Sequence, residues 1–478
     1  MSDNSLKSRA INGVKWKFAE KVGMQLMQFV IQIVLARLLM PEDYGLIGLL
    51  TIFINISDVF ILQGFTTALI QKQNADEVDF SSVFFANMIM SFIIYIVLFA
   101  LAPTVAWFYN DTRLTAIMRV LSLNVLFGAF CAVHNAIMQK NIDFKKSFMR
   151  NQANIFTQGI VGIALAYADT GVWALVFSKL AGTLVGAIVI CIAVKWKPQK
   201  VFSAERIKGL FSYSSRILGT NLLNTVFNNI HSLIIGKFFV KADLGFYQRG
   251  QQMPQVIMTA IDGSLNETLY PTLSAIQNDM TRLKRVLRRS MKTSMFLVLP
   301  LLLGMMAVAE PIIQILLTDK WLPCVPYMKL SCIICAFWPL SARGHALNAI
   351  GRSNITFKLS LISRAMMLVF IFVCLPFGIY SIMLGTIASS FICMWITSYF
   401  VRKYIGYTYK EFIMDLFPAV ALSLVMYVIV CFIGTFDITV YLKLAIQIVI
   451  GATVYICGAY ILKLDSFKYI LNMLKKGF

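Results

Sequence analysis

Long apolar runs, repeated from one end to the other, constrain this chain more than any other feature of its sequence. The segment 81–103 carries no charged residue, and runs like it recur at short intervals. About 20 such residues in a helix cross a hydrocarbon layer about 30 Å thick. A water-soluble core has no room for them. Of the residues, 59% are hydrophobic and 14% charged, against about 45–50% and about 25% in soluble domains. Membrane β-barrels need alternating residues in strands of about ten, which continuous runs exclude. The chain is therefore expected to be an all-α integral membrane protein of about fourteen spans. These fall near 16–38, 44–68, 81–103, 114–138, 148–168, 171–194, 211–236, 246–272, 293–317, 322–349, 355–376, 380–400, 413–433 and 440–462.

The formal charge of +21 is a matter of placement. Bases gather in particular loops: Lys140, Lys145, Lys146 and Arg150 in one, Lys195, Lys197 and Lys200 in another, and RLKRVLRR (Arg282 to Arg289) in a third. Other turns read MPED, YNDTR, ADTG and GTFD. Lys and Arg accumulate on the cytoplasmic side of membrane helices, so both termini are expected in the cytoplasm. The charge then marks topology and contact with anionic membrane lipids, and no nucleic-acid partner is expected. The N-terminal MSDNSLKSRAINGVKWKF lacks the compact apolar core and cleavage site of a signal peptide. The nine cysteines lie mainly within spans, and Cys332 and Cys335, although spaced CxxC, read as packing residues.

The chain also repeats itself. ARLLMPEDYGL (Ala36 to Leu46) returns 200 positions later as GKFFVKADLGF (Gly236 to Phe246), with Asp43 and Gly45 matching Asp243 and Gly245. HNAIMQKNIDFKKS from His134 returns as LNAIGRSNITFKLS from Leu347. Six spans separate each pair. The expected architecture is two parallel six-helix bundles, 1–200 and 201–405, related by pseudo-twofold symmetry. The second opens on a basic cytoplasmic linker, and 406–478 adds two further spans and a cytoplasmic tail. Substrates bind between such parallel repeats, which rock against one another.

Polar residues inside the spans nominate the site. Lys21, Gln25, Gln28 and Gln32 share one face of the first span; Asn221, Asn224 and Asn228 share one face of the seventh. An unpaired amide in lipid costs roughly 2–7 kcal/mol, so both stripes face other helices or a wet cavity, where amides suit sugar hydroxyls. Arg119, Arg216 and Arg249 lie near span ends, where snorkelling to the interface is an alternative role. Lys179, Arg343 and Arg364 sit deeper, as expected of functional groups that attract an anion. The embedded acids Asp58, Asp262 and Glu267 either pair with these cations or bind a coupling H⁺ or Na⁺. No cofactor or metal site is expected: His134, His231 and His345 show no ligand spacing, and no phosphate-binding loop appears. The chain does not read as an enzyme.

Several stretches resemble one family in order along the chain: LARLLMPEDYGLIGLLTIF, FTTALIQKQN (Phe65 to Asn74), LGFYQRGQQMPQ (Leu244 to Gln255), LYPTLSAIQNDMTRLKRVLRRS (Leu269 to Ser290) and DKWLPCVPYMKLS (Asp319 to Ser331). They are similar to the Wzx-type lipid-linked oligosaccharide flippases and polysaccharide exporters, the WzxC- and TuaB-like branch of the multidrug/oligosaccharidyl-lipid/polysaccharide exporter superfamily. The resemblance implies a bacterial inner-membrane protein that moves undecaprenyl-diphosphate-linked repeat units across the bilayer by alternating access. The product would be a surface polysaccharide such as O-antigen, capsule or exopolysaccharide, and a polysaccharide polymerase is an implied partner. It also implies that basic cavity residues, here Lys179, Arg216, Arg249, Arg343 and Arg364, engage the diphosphate and anionic sugars. The alternatives are a drug or cation antiporter of the same superfamily and a membrane-embedded polymerase or glycosyltransferase.

Overall fold

A computed structural model describes residues 23–72, 74–141 and 143–475; Lys21 lies outside them. All the regular structure among these residues is helical. In hydrocarbon every backbone N–H and C=O must find its partner within the segment, and a helix does so without help from neighbours. The chain divides into two compact units, Met1–Gly245 and Phe246–Phe478.

The first unit begins with α1 (Gly23–Leu38). It continues through α2 (Pro41–Leu62), α3 (Phe65–Gln71), α4 (Glu77–Phe108), α5 (Arg113–Leu121), α6 (Leu123–Lys140), α7 (Phe144–Tyr167), α8 (Val172–Val194) and α9 (Ala204–Phe238). Helix α10 (Lys241–Ala275) starts in this unit and runs on into the second. There follow α11 (Met280–Ala307), α12 (Ala309–Leu317), α13 (Val325–Cys335), α14 (Ala342–Ala349), α15 (Ser353–Cys374), α16 (Ile379–Ile405), α17 (Tyr409–Gly434), α18 (Val440–Ile461) and α19 (Asp465–Lys475).

Among the described residues, ten stretches are long and apolar enough to cross a membrane. They fall at ten of the fourteen expected positions. The other four positions hold α1, an apolar helix whose described length is shorter, and α7, α9 and α10, whose polar side chains lower their hydropathy. Lipid takes the place of a protein core around the outer helices. Phe357, Val369 and Phe372 of α15 are 67%, 59% and 60% exposed, which water would not tolerate in one stripe.

The repeated corner has a structural counterpart. Helix breaks at 39–40 and 239–240 separate α1 from α2 and α9 from α10, and the two corners pack on each other reciprocally. A Cβ on Gly45 would lie 1.9 Å from the Lys241 carbonyl oxygen, and one on Gly245 would lie 2.1 Å from that of Pro41. Only glycine permits two helix starts to cross this closely. Lys241 Nζ then donates to the Tyr109 carbonyl at 2.8 Å, while Arg113 bridges Glu42 and Asp111.

The opposite end of the first unit centres on Asp79, which is fully buried. It accepts from Lys72 Nζ at 2.6 Å and Arg206 Nη1 at 3.2 Å. Asp76 caps α4, accepting from the Asp79 amide at 2.9 Å. That bond, and after it the Arg206 charge, hold its carboxyl below the usual range. Linker residues dock on the same helix start: Trp196 Nε1 donates to Glu77, Gln199 N to Ser81 Oγ and Ser203 N to Ser82 Oγ. The basic linker is thus pinned to α4 rather than free.

Gly45→Ala is expected to lower the thermal unfolding midpoint of the purified protein, at a cost of about 1–3 kcal/mol from overpacking. Gly209→Ala, where an added Cβ meets nothing within 4 Å, should leave the midpoint unchanged or raise it, because alanine is the better helix former.

Candidate functional site

The embedded charges settle into separate places. In the first unit, Asp58 of α2 and Lys179 of α8 are electrostatic partners. Gly128 of α6 leaves room beside them, since a Cβ there would stand 4.0 Å from Asp58 Oδ1. Arg119 of α5 reaches across to α4, with its guanidinium 4.2 Å from the centroid of the Phe99 ring. The amide stripes lie on α1 and α9: Gln25, Gln32, Asn221 and Asn224 are half-buried, Gln28 and Asn228 exposed. Arg216, on α9, and Asp262 and Glu267, on α10, have side chains outside the described residues.

In the second unit Arg249 is buried, donates from Nη1 to Gln252 Oε1 at 2.6 Å and lies 5.8 Å from the Trp321 ring. Its stretch resembles the family, and its geometry here is that of an internal support. Cys332 and Cys335 are packed with Met258, Val298 and Leu302.

Arg343 and Arg364 are the two predicted cations that the fold brings together. Both line an open cavity of about 620 Å³ formed by α14, α15 and α16 with the turn before α14. That turn exists because Pro339 interrupts the expected span 322–349. Residues 338–341 tighten into a 3₁₀ turn, as a ring without an N–H requires. Within this turn Leu340 O accepts from Arg343 Nε at 3.1 Å. Arg343 Nη1 donates to Met394 O at 3.1 Å and to Ser398 Oγ, and the guanidinium stands 4.8 Å from the Phe412 ring.

The electrostatics of this residue are unusual. Arg343 is 3% exposed, yet among the described residues no carboxylate lies within 4 Å of it. Its partners are neutral dipoles and a ring face, so its positive charge is fixed in place but not cancelled. Burying an uncompensated charge is costly, and an anion in the cavity would offset that cost.

The remaining lining is rich in hydroxyls and amides: Ser360, Ser363, Asn348, Ser390 and Thr397, with His345 at one side. Thr356 Oγ1 is buried without a partner in the structure. Sequence reasoning passed over these positions although they carried a signal. Thr356, Ser360 and Ser363 recur at i, i+4 and i+7 in an otherwise apolar span, one residue before Arg364, which places them on one helix face. Such an array, with two guanidiniums at its wall, can hold a sugar through its hydroxyls and an acidic group through its charge.

The fold and this cavity define the class: a multi-pass membrane protein with the architecture of the multidrug/oligosaccharidyl-lipid/polysaccharide exporters. Residues 34–326 match the family described as polysaccharide biosynthesis protein, and the chain belongs to that family. It is 21% identical to the teichuronic acid biosynthesis protein TuaB of Bacillus subtilis over 95% of both chains. It is 22% identical to the lipopolysaccharide biosynthesis protein WzxC of Escherichia coli over 88% of this chain and 86% of that one. The succinoglycan biosynthesis transport protein ExoT of Rhizobium meliloti is 23% identical over 66% of this chain, which spans 64% of ExoT. Among solved structures, the lipid II flippase MurJ in an inward closed conformation superposes with a TM-score of 0.77 at 16% identity, covering 95% of this chain and 98% of MurJ. An inward-facing multidrug resistance MATE transporter gives 0.66 at 13% identity, covering 81% and 98%. At these identities the two structures establish the fold.

Ser398→Ala removes one of the acceptors of Arg343 and is expected to cost about 1.5–3 kcal/mol, the worth of a hydrogen bond to a charged group. Chemical denaturation of the purified protein reads this out. Thr397→Ala, whose hydroxyl bonds only the Cys393 carbonyl of its own helix, should change stability far less.

Proposed function

We propose that this protein flips undecaprenyl-diphosphate-linked oligosaccharide repeat units across the bacterial inner membrane by alternating access, for synthesis of a surface polysaccharide. The observation that carries the reading is the uncancelled charge of Arg343 beside Arg364 in a cavity lined with hydroxyls. A lipid-linked oligosaccharide combines sugar hydroxyls with anionic phosphates, and both halves of that chemistry find partners there. Membership of the polysaccharide biosynthesis family and the transport and flippase roles in the names of ExoT and MurJ support it. The protein moves its substrate and leaves it chemically unchanged.

Asp58, beside Lys179, is the candidate for coupling to H⁺ or Na⁺, since a carboxylate that exchanges one positive partner for another ion can report an ion gradient to the helices around it. The duplicated organisation, 1–200 and 201–405 followed by 406–478, is supported by the offset of 200 residues between the reciprocal corners. The cluster of Lys72, Lys140, Arg206 and the linker lysines at one end of the first unit supports placing that end, and both termini, in the cytoplasm. A polysaccharide polymerase is the expected partner downstream.

The MATE-like fold also admits a drug or cation antiporter. Such a site favours cations through acidic groups, and among the described residues the lining of this cavity carries none. In a deletion strain, lipid-linked repeat units are expected to accumulate in the cytoplasmic leaflet, and wild-type protein should clear them. Arg343→Ala and Arg364→Ala, present in the membrane at wild-type levels, should fail to restore polymer. Full polymer from both variants would remove the cationic-cavity reading, and absence of accumulation in the deletion strain would remove the flippase reading.

A further inference from the structure

A second cavity, of about 500 Å³, lies in the second unit where α11 begins and α19 follows α18. Helix α11 turns one face to it, with Lys284, Arg285, Arg288, Arg289 and Lys292 spaced three and four apart. Three of these are neutralised. Lys284 pairs with Glu411 at 2.8 Å, Arg288 with Glu411 at 3.0 Å and Asp415 at 2.6 Å, and Lys292 with Asp415 at 3.0 Å and Asp465 at 3.9 Å. Asp415 also accepts from the Tyr407 hydroxyl at 2.9 Å. These pairs tie α11 to α17 and leave no carboxylate over.

Arg285 and Arg289 stand outside that network. Among the described residues no carboxylate lies within 4 Å of either, and both are exposed. Arg289 rests on the Tyr469 ring of α19, 3.5 Å from its centroid. The ring holds the guanidinium beside the cavity without cancelling its charge. Arg285 is one turn away on the same face. The cavity therefore presents two positive charges in excess, about one helical turn apart.

Its level along the helices narrows the ligand. After Thr293, α11 changes from basic to apolar residues, and α18 ends at Tyr460 and Ile461, which are 72% and 73% exposed. Large apolar side chains exposed next to a cationic cavity mark the boundary between hydrocarbon and water, the level of lipid phosphates. Guanidinium forks match phosphate oxygens two at a time.

We propose that Arg285 and Arg289 form a binding site for a phosphate group, presented by the headgroup of an anionic lipid in the adjoining leaflet. The site is separate from the hydroxyl-lined cavity and stands whether or not the transport reading does. Two excess charges favour a phosphate monoester, such as that of phosphatidic acid, over a zwitterionic headgroup.

The full-length protein, placed in phosphatidylcholine nanodiscs containing a minor fraction of phosphatidic acid, is examined by native mass spectrometry. Wild type should retain phosphatidic acid in preference to phosphatidylcholine. Arg285→Gln and Arg289→Gln should each weaken that preference about tenfold, the equivalent of one lost charge-assisted contact, and the double variant should abolish it. Arg282→Gln, on the same helix but outside the cavity, should retain it. Arg285→Lys should keep part of it, as a point charge without the fork. A parallel titration of detergent-solubilised protein with inorganic phosphate separates the sources: binding there that the double variant loses, with no lipid preference, keeps the site and assigns it to soluble phosphate. Equal phosphatidic acid retention by wild type and the double variant, an equal loss in Arg282→Gln, or no phosphate binding in either arm overturns the proposal.

Discussion

Hydrocarbon offers no hydrogen-bond partner and does not stabilise charge, and nearly every feature of this protein follows from that. Helices are imposed because each satisfies its own backbone. Polar side chains are then confined to places where another helix, water or a ligand can answer them. Arg343 shows the constraint at its sharpest. It is buried in the second unit, and its needs are met by Leu340 and Met394 carbonyls, the Ser398 hydroxyl and the Phe412 ring. One of these carbonyls, that of Leu340, belongs to the turn at Pro339, and the other partners come from the neighbouring helices α16 and α17. A break that would weaken an ordinary helix here creates a socket for a positive charge facing a cavity.

The same constraint explains the reciprocal glycines. In lipid the hydrophobic effect does little to drive one helix against another, so close backbone approach and packing must do the work. Gly45 against Lys241 and Gly245 against Pro41 bring two helix starts together at a distance no side chain allows. The sequence repeat, which looked like a record of duplication, is also a packing device. Each copy of the corner supplies the glycine that the other copy needs.

Much of this was legible in the sequence, and the reasons differ by feature. Apolar runs and loop charges state the fold class directly, because period and length map onto a bilayer without further knowledge. Depth within a span singled out Arg343 and Arg364, and the structure places both on the wall of one cavity. Depth grouped Lys179 with them, although it stands with Asp58 in the first unit, because distance along a helix does not say what stands opposite. The hydroxyls of Thr356, Ser360 and Ser363 were overlooked because small polar residues in a span usually bond their own backbone, as Ser360 does to the Thr356 carbonyl, and that the same face also lines a cavity is visible only after packing.

By itself, the sequence determined that this protein is a bundle of membrane helices, that bases gather between Arg282 and Arg289, and that one corner is repeated 200 residues on. Those are properties of single segments and of their spacing. The tertiary structure decided which charges are cancelled and which are left over. Lys284, Arg288 and Lys292 meet Glu411, Asp415 and Asp465, whereas Arg285 and Arg289, in the same stripe, meet no acid among the described residues. The reason is physical: Coulomb energy depends on separation in space and on the medium between charges, and neither is written along the chain until the helices have packed.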